Sequence, residues 1–241
     1  MNQGFLELGN SVVRFLHIKP LIRPVYYKLF KSRDLAKQRA LFSKNALEAL
    51  ECFDKCMREE SIPYTLAFGT MLGAVREQGF IKHDIDIDTM MWYDDYVDSL
   101  PQILKVHGFK RIHSFLIEEG KLGREETYEY MGVQIDIFFI YPPINELPYC
   151  CDFLQRDCLT FEACIKKYGS LLPRRIELPF NREIIYTQFE GLMLPIPANA
   201  HEILAFRYGS DYMIPNPSWS VQSFNKHIVE WYEEEGFYSN N

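Results

Sequence analysis

The sequence predicts an α/β fold of the α+β kind, in which a mixed β-sheet is flanked by helices and followed by a mostly helical C-terminal part. Apolar residues recur at helical spacing across residues 43–60, after Ser43 as a candidate N-cap. A short apolar run, YTLAFG at 64–69, has the composition of a buried strand that turns into another helix. Two segments at 109–121 and 124–142 then resemble consecutive strands of a meander. This order of elements indicates a mixed sheet with helices packed on it.

The remaining elements follow from turn residues and periodicity. MLGAVREQG predicts a short helix that ends at Gly79, and the aspartate-rich strand HDIDID follows it. Further helices are expected over 93–106, 152–168 and 199–208. Between the last two, FEGLMLPIP predicts a β-hairpin with Gly191 in its turn.

We expect the chain of 241 residues to divide into a basic, helical N-terminal extension (1–42) and one larger domain (43–241). That domain would have a core at 43–145 and a C-terminal part at 146–241. Residues 1–40 contain eight Lys and Arg residues but only two acidic residues, whereas the whole chain has a net charge of −7. The acidic domain argues against nucleic acid as a partner, because phosphate contacts need a basic surface.

The basic extension has two interpretations. Apolar and basic residues interleave from Phe5 to Phe30, so residues 1–40 could make peripheral contact with an anionic membrane surface. Alternatively, the segment is a helix that packs on the domain with its charges in water. The chain has no run of 18 uncharged apolar residues and no apparent secretory signal. We therefore expect a cytoplasmic protein, with the inner face of the cell membrane as the place of any peripheral contact.

Three carboxylates alternate with apolar residues in the strand that follows the second helix. Residues i, i+2 and i+4 of a strand share one face, so Asp84, Asp86 and Asp88 point one way and Ile85 and Ile87 the other. Like charges on one face repel unless a cation lies among them. Hard carboxylate oxygens suit Mg²⁺, or Mn²⁺ in its place. A solvated polar face is the alternative, but the apolar opposite face favours a metal site.

A fourth carboxylate, Asp136, lies in the apolar segment VQIDIFFI, on a strand expected to neighbour the aspartate strand. A buried carboxylate is costly unless it has a partner, a shared cation or a proton. Asp136 could therefore complete the metal site or accept a proton in catalysis. A buried, hydrogen-bonded structural acid is the alternative interpretation.

The turn and helix before the aspartates carry groups suited to an anion. Gly69 and Thr70 open the helix, where backbone N–H groups and a hydroxyl are available to a phosphate. Arg76, in the same helix, can stabilise phosphate charge with its planar set of donors. Each signal is weak alone, because such turns are common and Arg76 could equally form a surface ion pair with Glu77.

Together these features have the layout of the nucleotidyltransferase fold, and the string FGTMLGAVREQGFIKHDIDIDTMM resembles the signature of the LicD/fukutin-like phosphotransferase family. Asp136-Ile137-Phe138 is similar to a later aspartate strand of that family, and LPIPANAHEILAFRYGSDYMIPNP to its C-terminal pattern. The resemblance covers about residues 43–217 and identifies 43–241 as a LicD-like catalytic domain. Lys82-His83 departs from the family's Pro-Trp, which leaves the shape of the pocket beside the metal open.

The resemblance implies metal-dependent transfer of a phospho-substituent, phosphocholine in the first place, from a CDP-linked donor to a hydroxyl group. The acceptor would be a glycan or lipid-linked glycan of the cell surface, such as lipopolysaccharide, capsule or teichoic acid. The implied ligands of Mg²⁺ or Mn²⁺ are Asp84, Asp86, Asp88 and Asp136. The implied catalytic residues are Asp86, Asp88, Asp136 and Arg76. The implied substrate-binding residues are Gly69, Thr70, Gly73 and Lys82.

Two other functions are compatible with the same residues. The first is a nucleotidyltransferase that attaches a nucleoside monophosphate from an NTP to a small molecule, using the same carboxylates. The second is a catalytically inactive binding protein. Loss of one of the paired acids would be the sequence sign of that second function, and Asp86 and Asp88 are both present.

Overall fold

The computed structural model of the protein describes residues 19–144, 146–155, 160–216, 228–231 and 237–239. Its α-helices are α1 (Lys19–Glu59), α2 (Phe68–Glu77), α3 (Leu100–Val106), α4 (Phe161–Tyr168) and α5 (Ala200–Tyr208). Its strands are β1 (Thr65–Leu66), β2 (Asp86–Trp92), β3 (Lys110–Ile117), β4 (Gly123–Tyr130), β5 (Val133–Ile140), β6 (Tyr149–Leu154), β7 (Leu172–Glu177), β8 (Ile184–Phe189), β9 (Leu192–Pro197), β10 (Ile228–Trp231) and β11 (Phe237–Ser239).

The central sheet has six strands in the order β1-β2-β5-β4-β3-β11. β2 and β5 are parallel, whereas the other neighbours are antiparallel. A parallel pair needs a long crossover connection, which here consists of α3, β3 and β4. The predicted mixed sheet flanked by helices is therefore confirmed.

The main core lies between one face of this sheet and α1. Alternation in β2 and β5 sends Ile87, Ile135 and Ile137 to that face, where each is at most 1% exposed. α1 packs on β2 and β5 and contributes residues at helical spacing, among them the fully buried Leu50 and Phe53. Asp86, Asp88 and Asp136 consequently lie on the opposite face, which carries the candidate site.

Helix α2 packs tightly against the loop that leads into β2. A Cβ atom on Gly73 would lie 2.4 Å from the carbonyl oxygen of Gly79, so only glycine permits this approach. The helix ends at Gln78, which has a left-handed φ of 54° and donates its N–H to the carbonyl of Gly73. Gly73 therefore has a packing role that brings the loop at residues 79–85, which we call the aspartate loop, close to α2. Contact of Gly73 with substrate stays a prediction.

The prediction of a mostly helical C-terminal part is wrong. Beyond residue 145, the described residues contain two α-helices, α4 and α5, and six strands. β6, β7 and β10 form a three-stranded sheet, β8 and β9 form a hairpin, and β11 joins the central sheet. Residues 152–154, expected to begin a helix, belong to β6, which pairs with β7 along its whole length. Pairing with a distant strand outweighs a local helical pattern here.

Other predicted elements are confirmed with shifted ends. The hairpin turns at Glu190 and Gly191, which have φ values of 47° and 91°, as a two-residue type I′ turn requires. The helix predicted at 199–208 is α5. The helix predicted at 93–106 begins only at Leu100, with a proline in its first turn, and Tyr93–Asp95 form a 3₁₀ turn.

The N-terminal extension is only partly within the described residues. α1 runs without a break across the predicted boundary between residues 42 and 43. The division at that boundary and the membrane contact of residues 1–40 stay predictions, because residues 1–18 lie outside the part that the structure describes. In that part, no helix has the length and apolar character needed to cross a bilayer.

Candidate active site

Two aspartates from neighbouring parallel strands lie side by side at the centre of the site. Asp88 of β2 is paired in register with Asp136 of β5, and Asp86 is paired with Gln134. Residues paired in this way point to the same face of the sheet. The prediction that the two aspartate strands are neighbours is thus confirmed. Their pairing brings Asp86, Asp88 and Asp136 together.

Asp84 departs from the sequence prediction, because β2 begins only at Asp86. Asp84 lies in the preceding loop, where its Oδ2 accepts a hydrogen bond of 2.9 Å from the N–H of Ile81. Aspartate commonly satisfies backbone donors in turns of this kind, which is why the local alternation does not extend the strand. Lys82 is exposed in the same turn, so its contact with substrate stays a prediction.

Two hydrogen bonds join the start of α2 to Asp88. The N–H of Gly69 donates to Oδ2 of Asp88, and the N–H of Asp88 donates to the hydroxyl of Thr70, both at 2.9 Å. The turn that begins the helix is strained, because Phe68 has a φ of 37° in the left-handed region. The Gly-Thr turn therefore orients Asp88, and direct phosphate binding by Gly69 or Thr70 stays a prediction.

The carboxylate of Asp136 is held by a neighbour on β4. Thr127 lies opposite Asp136 in the β4–β5 register, and its hydroxyl donates to Oδ1 of Asp136 at 2.5 Å. The same hydroxyl lies 2.9 Å from Nε2 of His113 on β3. From β2, Thr89 donates its hydroxyl to the backbone carbonyl of Asp136 at 2.9 Å. Sequence reasoning missed Thr127 and His113, because only the pairing of distant strands places them here.

Burial raises the pKa of each aspartate in the site, and neighbouring negative charges add to the shift for Asp84, Asp88 and Asp136. Burial, followed by the charge of Asp86, raises the pKa of Asp136 to about 7. Burial raises the pKa of Asp84 to about 6, and it also raises the pKa of Asp86. Burial and the charges of Asp86 and Asp136 raise the pKa of Asp88 well above its usual range. All these causes favour neutral carboxyls, and a bound cation would oppose each of them.

A further carboxylate, which the sequence did not single out, lies beside this group. Glu125 is two residues from Thr127 on β4 and so shares its face. The Oε2 atom of Glu125 is buried and has no hydrogen-bond partner among the described residues. Burial, then the charges of Asp136, Asp152 and Asp88, raise its pKa well above the usual range. In the sequence, REETYEY resembles a polar surface strand, so no local signal indicates this burial.

A cation reaches the site from α5. The guanidinium carbon of Arg207 lies 3.8 Å from the ring centroid of Phe68, the residue before Gly69. The charge of Arg207 lowers the pKa of Asp88 and so opposes the other causes. Sequence reasoning did not select this arginine, although its segment, LAFRYG, lies in the stretch that resembles the family's C-terminal pattern.

Arg76 lies at the edge of a cavity of about 380 Å³ beside the aspartate loop. Its Nη2 is 2.7 Å from Oε1 of Glu77, so the ion pair considered as an alternative is present. Its Nη1 also donates to the carbonyl oxygen of Tyr212 at 3.4 Å, and its charge lowers the pKa of Asp84. The cavity is lined by Leu72, Arg76, Ile81, His83, Tyr208, Asp211, Tyr212, Ile214, Pro215 and Asn216.

The donor set fits a hard divalent cation. Asp86, Asp88 and Asp136 supply oxygen alone, and the buried Oε2 of Glu125 lacks a hydrogen-bond partner in the described part of the chain. Within that part, no three His, Cys, Asp or Glu side chains converge closely enough to enclose a metal ion by themselves. Mg²⁺ commonly takes one or two carboxylates and completes its coordination with water and substrate phosphates. The arrangement therefore suits a metal shared with a phosphate substrate.

Comparison with known proteins agrees with these features. The family model described as "LicD/FKTN/FKRP, nucleotidyltransferase domain" matches residues 61–199. The chain is 25% identical to Ribitol-5-phosphate transferase FKTN of Mus musculus over 186 residues, which are 76% of this chain and 36% of that protein. The Homo sapiens protein of the same name is 23% identical over 189 residues, or 77% and 37% of the two chains.

A shorter match is to Lipopolysaccharide cholinephosphotransferase LicD of Haemophilus influenzae, at 42% identity over 50 residues, or 21% of this chain and 19% of that protein. The chain spans just over a third of the length of the two FKTN proteins. The region matched by the family model includes α2, β2 and β5, and so contains every aspartate of the site. Because that region is more than half of the chain, the protein belongs to the LicD/FKTN/FKRP family through its nucleotidyltransferase domain.

Proposed function

We propose that the protein transfers a phospho-substituent from a CDP-linked donor to a hydroxyl group of a glycan, in a reaction that needs Mg²⁺ or Mn²⁺. The observation that carries the proposal is the in-register pairing of Asp88 and Asp136 beside the first turn of α2. Family membership supports the reaction class. The relatives are named a ribitol-5-phosphate transferase and a lipopolysaccharide cholinephosphotransferase, and both names describe transfer of a phosphate-containing group.

The donor would lie between the aspartates and the cavity beside Arg76. The charge of Arg76 lowers the pKa of Asp84, and the charge of Arg207 lowers the pKa of Asp88. A guanidinium group therefore lies near each of these two aspartates. Guanidinium groups bind phosphate oxygens through several donors at once. The cavity has aromatic and aliphatic walls and a volume of about 380 Å³, which suits a pyrimidine nucleoside. We therefore assign the cavity to the cytidine part of the donor.

The carboxylates divide the chemistry between them. Mg²⁺ bound by Asp86 and Asp88, with Asp84 and Asp136 as further candidate ligands, would neutralise the donor's phosphates. The oxygen of the acceptor hydroxyl bonds to the phosphorus that carries the transferred group, and the bond from that phosphorus to the departing CMP oxygen breaks. Asp136, which lies beside Asp88 on the neighbouring strand, accepts the proton of the hydroxyl as a general base. Arg76 and Arg207 stabilise the charge that develops on CMP.

The transferred group and the acceptor are the finer part of the proposal. Phosphocholine is the first group to test, because the relative with the higher local identity is named a cholinephosphotransferase. Ribitol phosphate is the second, because the longer matches are to proteins named for it. Lipopolysaccharide, capsule and teichoic acid are the acceptors to try, including lipid-linked forms.

The test is CMP release by the purified full chain from CDP-choline, CDP-ribitol and CDP-glycerol, each with Mg²⁺, Mn²⁺ or EDTA and a glycan acceptor. We expect metal-dependent release from at least one donor. Asp88→Asn should lower the rate by about 100-fold or more, because it removes a carboxylate that would hold the metal at the reacting phosphates. Asp94→Asn is the control, since the exposed Asp94 pairs with Arg182. Absence of release from all three donors would refute the proposal.

One alternative keeps the same residues. The matching family model is described as a nucleotidyltransferase domain, which favours transfer of a nucleoside monophosphate from an NTP as the second candidate. Label transfer from ATP or CTP, without CMP release from any CDP-linked donor, would support that reaction. A catalytically inactive binding protein would show neither reaction, and Asp86→Ala and Asp88→Ala would leave its cellular phenotype unchanged.

A further inference from the structure

A chain of hydrogen bonds crosses three strands and ends on one oxygen of Asp136. The Thr127 hydroxyl donates to Oδ1 of Asp136 at 2.5 Å and lies 2.9 Å from Nε2 of His113. These residues face each other in the β3–β4 and β4–β5 registers, so the sheet itself holds the spacing. Thr127 is only 2% exposed, which keeps water from replacing these bonds.

The direction of each bond follows from the number of protons available. The Thr127 hydroxyl has one proton, and an ionised Asp136 can only accept it. The remaining partner, Nε2 of His113, must then carry a proton and donate to the Thr127 oxygen. Burial lowers the pKa of His113 to about 4, so the ring is neutral near neutral pH, with its one proton on Nε2.

The histidine ring is itself held in place by aromatic neighbours. The centroid of the His113 ring lies 5.0 Å from that of Phe115, two residues along the same strand. It lies 5.4 Å from the ring of Phe161, the first residue of α4. Rotation of the imidazole would disturb both contacts, so the aromatic packing fixes the position from which Nε2 donates.

We propose that Thr127 and His113 are positioning residues for Asp136. The Thr127 hydroxyl binds Oδ1 of Asp136 and so leaves Oδ2 directed toward the metal or toward the proton of the acceptor. This inference deepens the proposed function and rests on it for the identity of the reaction. A carboxylate that rotates about its Cβ–Cγ bond would offer its charge in several directions. Reactions of this class depend on atoms held within a fraction of an ångström, so fixing this rotation matters for the rate.

The chain provides a matched pair of threonines for the test. Thr127 and Thr89 are both buried, and each donates its hydroxyl to Asp136. Thr127 donates to the carboxylate, whereas Thr89 donates to the backbone carbonyl. Thr127→Val and Thr89→Val therefore each replace a hydroxyl with a methyl group, and each removes one hydrogen bond to Asp136. Only Thr127→Val alters the direction of the carboxylate.

We expect Thr127→Val to lower the rate of CMP release and the affinity for Mn²⁺, measured by electron paramagnetic resonance, by about 10- to 100-fold each, as losses of outer-shell partners do. Thr127→Ser keeps the hydroxyl and should restore both. Thr89→Val should lower the unfolding temperature but leave both values within about 2-fold. His113→Gln, whose amide nitrogen can replace Nε2, should retain more of both than His113→Leu.

The two readouts separate failure of the inference from failure of the proposed function. Equal effects of Thr127→Val and Thr89→Val on Mn²⁺ affinity, or no effect of either, would overturn the positioning role. If the wild-type chain releases no CMP from any donor but Thr127→Val still weakens Mn²⁺ binding relative to Thr89→Val, the positioning role stands and the proposed reaction fails.

Discussion

The backbone N–H of Gly69 donates a hydrogen bond of 2.9 Å to Oδ2 of Asp88, so the first turn of α2 orients a carboxylate of the neighbouring strand. The bond connects the two most recognisable parts of the sequence, the Gly-Thr turn and the alternating aspartates. The strained φ of 37° at Phe68 immediately precedes it. Strain of this kind persists when the surrounding structure requires it, and here it accompanies a Gly69 N–H that is positioned to donate to the Asp88 carboxylate.

Gly69→Ala tests this relationship with a single methyl group. The added Cβ would lie 3.2 Å from Oδ2 of Asp88, which is tight contact with a side-chain atom that can move. We expect the carboxylate to shift by a few tenths of an ångström and CMP release to fall about 10-fold, because small misplacements are costly in catalysis. The free energy of unfolding in urea should change by less than about 1 kcal/mol, since alanine is favoured in helices. A large loss of stability with unchanged activity per folded molecule would contradict this prediction.

The raised pKa values of the aspartates predict how stability depends on pH without metal. The pKa of Asp84 rises to about 6 and that of Asp136 to about 7, from an unfolded value of 3.8. These carboxyls therefore bind more protons in the folded protein than in the unfolded chain in this window, and they outnumber His113, whose lowered pKa acts in the opposite direction. Its stability falls as the pH rises from about 4 to about 7. We expect a lower unfolding temperature in EDTA at pH 8 than at pH 5.

Mg²⁺ and one substitution provide the controls for this pH effect. Mg²⁺ should raise the unfolding temperature more at pH 8 than at pH 5, because only ionised carboxylates bind it well. Asp88→Asn removes one member of the group and should reduce the difference between the two pH values, whereas the exposed Asp94→Asn should leave it unchanged. If the metal-free wild-type protein is more stable at pH 8 than metal-free Asp88→Asn at the same pH, repulsion among the carboxylates does not control the stability.

The parts of the site that local sequence encodes could be predicted, and those that depend on strand register could not. Alternation correctly placed Asp86 and Asp88 on the face opposite Ile87, and an apolar strand correctly indicated a position beside them for Asp136. Glu125 could not be predicted, because its segment resembles a surface strand, whereas the fold buries its Oε2 atom near Asp136, Asp152 and Asp88.

The same distinction applies to the fold. The turn residues of the β8–β9 hairpin have a local conformational requirement, so the sequence predicted that hairpin correctly. β6 is different, because it depends on pairing with β7, and the local pattern around residues 152–154 favoured a helix instead. Asp84 was placed on the strand because alternation continues through it, although its carboxylate closes a turn with Ile81.

Arg207 is the residue outside the aspartate motif that we expect to matter most for turnover. Its guanidinium carbon stacks 3.8 Å from the centroid of Phe68 and its charge acts on Asp88. Arg207→Met should lower CMP release about 100-fold, as expected for loss of a fixed charge that stabilises a transition state, and Arg207→Lys should retain part of the rate. Arg58→Met is the control, because Arg58 makes a similar ring contact, 5.0 Å from Tyr186, at an exposed site. Equal losses from both variants would assign Arg207 a purely structural role.

The assignment of the cavity to cytidine predicts an effect on KM rather than on kcat. Tyr212 lines the cavity, and its backbone carbonyl, which Arg76 contacts, remains in Tyr212→Ala. Loss of the ring removes stacking worth about 1–3 kcal/mol for a base, so KM for the CDP-linked donor should rise about 10-fold or more, with kcat within about 2-fold. CMP should become a weaker competitive inhibitor by a similar factor. Tyr186→Ala, at an exposed tyrosine of β8, should change neither value. A fall in kcat with unchanged KM would contradict the assignment. Tyr212 would then affect the reacting atoms and not donor binding, and the nucleoside would bind elsewhere.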